Sequence, residues 1–157
     1  MSGKKVVYII ILVLCAGIVA ACSKPKTDVD FVKDAITQAA KAAEDKDVAG
    51  VMKHISKDFR TDDGGDRNTV KGILVGQLLN EGSISIFIRE MDVEVTGDKA
   101  AAHLRLVMTR GAPVKSLADV PRDAADAYRF EMIFRKEDGS WRAVTAAWER
   151  IGLAGLL

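Results

Sequence analysis

The sequence predicts an α+β fold in which N-terminal helices pack on an antiparallel sheet. Two observations carry this. Between Asp28 and Leu78, apolar residues recur at about 3.6-residue spacing, the period of helices with one buried face. From Ile84 to Arg150 the period drops to two, the alternation of half-buried strands. Helices gathered ahead of strands, instead of alternating with them, indicate segregated layers and not a βαβ arrangement.

The first helix opens at Thr27 or Asp28, with Thr27 and Asp30 at capping-box spacing. Val29, Val32, Ile36, Ala39 and Ala43 form its apolar ridge, and Lys33, Asp34, Lys41 and Glu44 its wet face. Asp47 caps a second helix carrying Val48, Val51, Met52 and Ile55, and Phe59 follows in a short extended piece. Thr61 to Asp66 is a turn cluster of Asp and Gly. Asn68 then caps a third helix with Val70, Ile73, Leu74, Gln77 and Leu78 on one side. Gly72 and Gly76, one turn apart, read as a close approach of backbone to another element, since each glycine otherwise costs helix stability.

Ile84, Ile86 and Ile88 alternate in one phase and Met91, Val93 and Val95 in the other, so a bulge is expected near Arg89–Glu90. A two-residue turn at Gly97-Asp98 sets Val95 opposite Ala100, Val93 opposite Ala102 and Met91 opposite Leu104. On the other face it sets Asp92 opposite His103 and Glu90 opposite Arg105, so apolar meets apolar and acid meets base. Gly111 to Asp126 interrupts the strands, with Pro121 placed to start a short helix through Asp126. Tyr128, Phe130, Met132 and Phe134 then alternate with Arg129, Glu131, Ile133 and Arg135.

Two registers compete for the last hairpin. A two-residue turn opposes Arg135 with Arg142 and sends Trp148 to the polar face. A three-residue loop, Glu137 to Gly139 with Gly139 left-handed, aligns Tyr128 with Trp148, Phe130 with Ala146 and Met132 with Val144. The second is preferred because it gathers aromatics inside and avoids a like-charge pair.

Ahead of all this stands an address. Lys4 and Lys5 precede an uncharged run from Val6 to Ala21, shorter than the ~20 apolar residues of a spanning helix. A basic start, a short apolar stretch and small residues before a cut site form the secretory-signal pattern. Val19-Ala20-Ala21-Cys22 resembles the lipobox of bacterial lipoproteins at all four positions. That resemblance implies a signal peptide over residues 1–21, a lipidated tether over 22–27 and one domain over 28–157. It implies diacylation of the Cys22 thiol, then cleavage and acylation of the new amine. Two or more chains anchor stably, at roughly 0.8 kcal/mol per buried CH₂. The expected location is the bacterial cell envelope, facing the periplasm, with Ser23 favouring the outer membrane by family analogy. The competing reading is an uncleaved signal anchor with Cys22 a bystander.

The only cysteines are Cys15 and Cys22, so the mature chain has no disulfide and depends on its core. Removing residues 1–21 from 157 leaves 136, enough for one domain. Without Lys4 and Lys5, the 23 basic residues fall to 21 against 22 acids, which gives no electrostatic case for nucleic acid.

The element order, the Asp138-Gly139-Ser140-Trp141 turn and the late Trp148 together resemble the nuclear transport factor 2-like superfamily over about residues 28–150. A cystatin-like relative is the alternative. The resemblance implies a strongly bent sheet wrapped on the first helix into a cone, a pocket inside the cone and a dimerising outer face. The superfamily includes ketosteroid isomerase, whose catalytic tyrosine lies on the first helix; this first helix has none. Such chemistry needs a carboxylate base and an oxyanion donor in an apolar cavity. Tyr128 is the one tyrosine beyond the signal, and no matching catalytic set is found.

Phe59, Tyr128, Phe130 and Trp148 are the pocket candidates, with plain core packing the competing reading. His103, Arg105 and Glu131 are the interface candidates, on an outer face shared with Val107, Ile133, Ala143 and Thr145. His54 and His103 lack ligand spacing, and Asp62, Asp63 and Asp66 lack a calcium-loop pattern, so no metal and no cofactor is expected. The expected role is a binding module for a small apolar or amphipathic molecule or an envelope protein, with homodimerisation on the sheet. An isomerase- or cyclase-like enzyme is the alternative.

Overall fold

A computed structural model of the chain describes residues 25–80, 82–111, 114–119 and 125–152. The signal segment, Cys22 and Pro121–Ala124 lie outside the described residues.

Helix α1 spans Asp28–Glu44. Its capping box is reciprocal: the Asp30 amide donates to Thr27 Oγ1 at 3.2 Å, and the Thr27 amide donates to Asp30 Oδ2 at 2.8 Å. Val32, Ala35, Ile36 and Ala43 are buried on the expected ridge. Asp47 caps α2, Val48–Met52, by accepting from the Gly50 amide at 2.8 Å. Gly50 is needed there, because a Cβ would meet Asp47 Oδ2 at 2.5 Å and Ala42 Cβ at 2.9 Å.

Strand β1, Ile55–Thr61, carries Phe59. Helix α3 spans Arg67–Asn80. Its first turn is capped by Asp66, not Asn68: Asp66 Oδ1 accepts from the Thr69 amide at 2.9 Å. Arg67 ties the helix to the preceding elements by donating to the Met52 carbonyl at 3.0 Å. Gly72 and Gly76 approach nothing; the space where a Cβ would sit is empty within 4 Å at both. The expected close contact is therefore absent.

Strands β2 (Ser83–Thr96), β3 (Lys99–Gly111), β4 (Ala125–Glu137) and β5 (Ser140–Ile151) complete one five-stranded sheet in the order β1-β5-β4-β3-β2. The long strands are antiparallel, but β1 joins the β5 edge in parallel, so the sheet is mixed. The β2–β3 register matches expectation at every named pair, including Asp92–His103 and Glu90–Arg105, with the bulge between Ile88 and Glu90. Ala125 and Asp126 belong to β4, so no helix extends through Asp126.

The β4–β5 hairpin corrects the preferred register. Asp138 and Gly139 have φ of 50° and 77°, a two-residue turn with both central residues left-handed. Arg135 does face Arg142. Glu137 relieves the repulsion: Arg135 Nη2 lies 2.5 Å from its Oε1 and Arg142 Nη1 3.5 Å from its Oε2. The phase shift occurs at Val144 instead, since Phe134 pairs with Ala143 and Ile133 with Thr145. The two-residue turn already sets Ala143 inward opposite Phe134, away from the expected outer face. The bulge at Val144 then returns Trp148 to the inner face, opposite Phe130 and not Tyr128.

The core lies between α1 and the concave sheet face, built on Val32, Ile36, Phe59, Leu104, Phe134 and Trp141. Asp28 pins that end of α1: its Oδ1 accepts from Trp141 Nε1 at 3.1 Å and Lys136 Nζ at 2.7 Å.

Candidate binding cavity

The other end of the cone stays open. There α3 covers the sheet without filling the space beneath it. A cavity of 340 Å³ lies among Val70, Leu74 and Leu78 of α3, Ile84 of β2, Met108 of β3, and Tyr128, Phe130 and Trp148. A deeper chamber of 190 Å³ runs between α1 and the sheet, past Ile36, Ala39, Ile86, Leu104 and Met132. The two share Ala43, Met108 and Phe130 as walls, so they are neighbours in the cone.

Three of the four aromatic candidates are brought together here. Phe130 stacks on Trp148 with ring centroids 6.2 Å apart, and Tyr128 lies 6.3 Å from Phe130. Trp148 is 42% exposed, so it forms the rim and is not core. Phe59 lines neither chamber; it is 2% exposed within the packed core.

The chamber walls are almost wholly apolar because inward positions of β2, β3 and β4 alternate with polar outward ones. In the deep chamber, His54 is the one ionisable lining residue. Burial, with help from Lys53 and Arg142, holds its imidazole below the usual histidine range.

Polar groups cluster at the mouth, and sequence reasoning missed them. Arg110 Nη1 lies 2.7 Å from Asp126 Oδ2, and Arg150 pairs with Asp126 Oδ1. Arg110 lines the mouth cavity, and Arg150 stands opposite Tyr128 on the same face. These residues come from three strands. Placing Asp126 at the end of a short helix between the strands broke the alternation that would have aligned it with Tyr128.

His103, Arg105 and Glu131 sit together on the outer sheet face, around a shallow hollow of 260 Å³. Arg105 Nη1 lies 3.4 Å from Glu90 Oε2, and Arg129 Nη1 lies 2.6 Å from Glu149 Oε1. Val107, expected on that face, is only 2% exposed. Beside it, the Val114 amide donates to Ser85 Oγ at 3.3 Å. Among the described residues, no cluster of three or more His, Cys, Asp or Glu could hold a metal, and no helix is long and apolar enough to cross a membrane.

A helix-covered, strongly curved sheet closed at one end and open at the other defines a protein of the nuclear transport factor 2-like (NTF2-like) class. The chain belongs to the SnoaL-like domain family, whose model matches residues 32–146. Among solved structures it is similar to a dehydratase candidate of the NTF2-like family from Streptomyces avermitilis. That match has 19% identity and a TM-score of 0.66, and covers 82% of this chain and 99% of that one. It is also similar to an NTF2-like protein of unknown function from Pseudomonas putida, at 15% identity and TM-score 0.60, covering 75% and 82%. A scytalone dehydratase candidate from Novosphingobium aromaticivorans aligns at 10% identity and TM-score 0.62, covering 77% and 82%. At these identities the likeness is one of fold. No curated protein matches the chain.

Proposed function

We propose that this protein is a lipid-anchored envelope protein that holds a small apolar or amphipathic molecule in its cone. The observation that supports the binding role is the pair of neighbouring chambers, apolar apart from His54 in the deeper one and the polar groups at the mouth. Enzyme chemistry on this scaffold calls for a free carboxylate base beside a donor. Asp126, two residues from Tyr128 on the same strand face, instead spends its oxygens on two guanidinium groups.

The anchor reading rests on Lys4, Lys5 and the lipobox-like Val19-Ala20-Ala21-Cys22. The outer-face hollow at His103, Arg105 and Glu131 is the proposed contact for a second copy.

Native mass spectrometry of the protein released gently from detergent tests the proposal. A reproducible added mass, lost on denaturation and reduced in Ile73→Lys at the cavity edge, is the expected result. A clean apo species that takes up no added N-phenyl-1-naphthylamine would overturn the binding role. The same spectra read the oligomeric state, and a monomer at micromolar concentration would remove the second copy.

A further inference from the structure

One polar ring interrupts the hydrocarbon walls of the deep chamber. We infer that this chamber takes an uncharged molecule, hydrocarbon over most of its surface, whose single hydroxyl or carbonyl group hydrogen-bonds to His54; this rests on the binding role proposed above and adds the polar group that the deep end selects.

Every other side chain lining the chamber is Ala, Val, Ile, Leu, Met or Phe. His54 is fixed there through its backbone. Its amide donates to the Val51 carbonyl at 3.1 Å, and its carbonyl accepts from the Ala143 amide at 2.8 Å. Neither bond uses the imidazole. Among the described residues, none supplies that ring with a hydrogen bond or an ion pair. His54 also lines a surface hollow of 400 Å³ beside Asp34, Gln38 and Ser140, so it stands in the wall between the chamber and the outside. A half-buried ring with an open bonding position favours the occupant that completes its hydrogen bonding.

The ring sets the chemistry of the group it meets. Burial favours its neutral form. A neutral imidazole carries one donor and one acceptor, so it serves a hydroxyl proton or a carbonyl oxygen. A carboxylate or phosphate would shed its water among hydrocarbon walls, a cost that a neutral ring does not offset. Arg142 leaves that balance in place, because Glu137 holds its guanidinium, with Nη1 3.5 Å from Oε2. A plain hydrocarbon suits the walls but displaces water from the ring without replacing its bond. Volume limits the size. An apolar cavity of about 150 Å³ binds benzene. The chamber's 190 Å³ therefore admits a six-membered ring with a short substituent.

The test uses the full chain in nanodiscs of zwitterionic lipid, labelled with ¹³C at the methionine methyls and ¹⁵N in the histidine rings. Four ring probes are titrated at known free concentration: p-cresol, 4-methylcyclohexanone, p-xylene and p-toluate. Met132 reports the deep chamber alone, and Met108 reports both chambers. p-Cresol or the ketone is expected to shift Met132 saturably and to move a His54 ring nitrogen that p-xylene leaves in place. In His54→Leu, affinity for that probe is expected to fall about tenfold, the loss of one buried hydrogen bond, while p-xylene is not weakened. Retained p-xylene binding shows that the variant is folded; if it does not fold, the nitrogen shift in the unaltered chain decides alone. Whichever probe moves the ring identifies the group as hydroxyl or carbonyl. Saturable methionine shifts with the His54 nitrogens unmoved, p-cresol and ketone affinities unchanged in a folded His54→Leu, or tightest binding by p-toluate each overturn the His54 inference and leave the binding role standing. No saturable shift at Met108 or Met132 with any probe overturns both.

Discussion

His54 shows how a single side chain reports on its surroundings. Its carbonyl accepts from the Ala143 amide at 2.8 Å, fixing it at the junction of α2 and β1. Burial favours the neutral imidazole, so the folded pKa lies below that of an ordinary exposed histidine. A depressed folded pKa means that the unfolded chain takes up the proton first as pH falls. Stability is therefore expected to decline as pH drops below about 6.5, and His54→Gln should flatten that part of the curve. Thermal melts between about pH 7 and pH 5 measure it, and an unchanged slope in the variant would refute the assignment. A more acidic limb belongs to Asp28 and Glu137. Lys136 and then Trp141 lower Asp28 by hydrogen bonding. For Glu137, burial pushes the carboxyl up, but Ser56 and Arg135 outweigh it and hold it low. Both contributions are present above the carboxylate range and are lost as pH falls through it.

Among the elements, α3 is the one built for looseness. Ile73 and Leu79 are 45% and 55% exposed, and among its described side chains only Leu78 is deeply buried. Its two glycines face empty space, so nothing in the packing requires them. Alanine at either should reduce the entropy lost on folding without a clash. Gly72→Ala and Gly76→Ala are each expected to stabilise by ~0.5–1 kcal/mol, read from the midpoint of urea unfolding. Destabilisation would mean that the backbone there packs against a partner. Spacing made the helix legible, but not the room around it. The same split holds in the strands. The β2–β3 register was legible because both faces constrained it at once, acid to base and apolar to apolar. The β4–β5 register misled because Arg135 and Arg142 read as repelling. Glu137 and Ser56, the latter from a strand 81 residues away in sequence, make that pairing tolerable.

At the scale of the whole molecule, the closed end of the cone and its mouth lie at opposite ends of α1. Asp28 packs against Trp141 at the closed end, and Ala43 lines both chambers near the open one. A 17-residue helix spans about 25 Å at 1.5 Å per residue. Cys22→Ser should release the full chain from the mature membrane fraction and remove the acyl mass from the intact protein. Unchanged detergent partitioning together with an unchanged mass would refute lipidation.

The sequence by itself determined what local chemistry can encode: the α1 capping box, the β2 bulge at Arg89, the β2–β3 pairing and the helix-then-strand order of the fold. Each depends on neighbours a few residues apart or across one short turn, where period and charge constrain one another. Tertiary structure alone decided the parallel edge of β1, the bulge at Val144, the burial of Phe59 away from the cavity and the Arg110–Asp126–Arg150 mouth. Those features join residues from strands distant in sequence, and side-chain spacing carries no record of which strands the sheet's curvature brings to one rim.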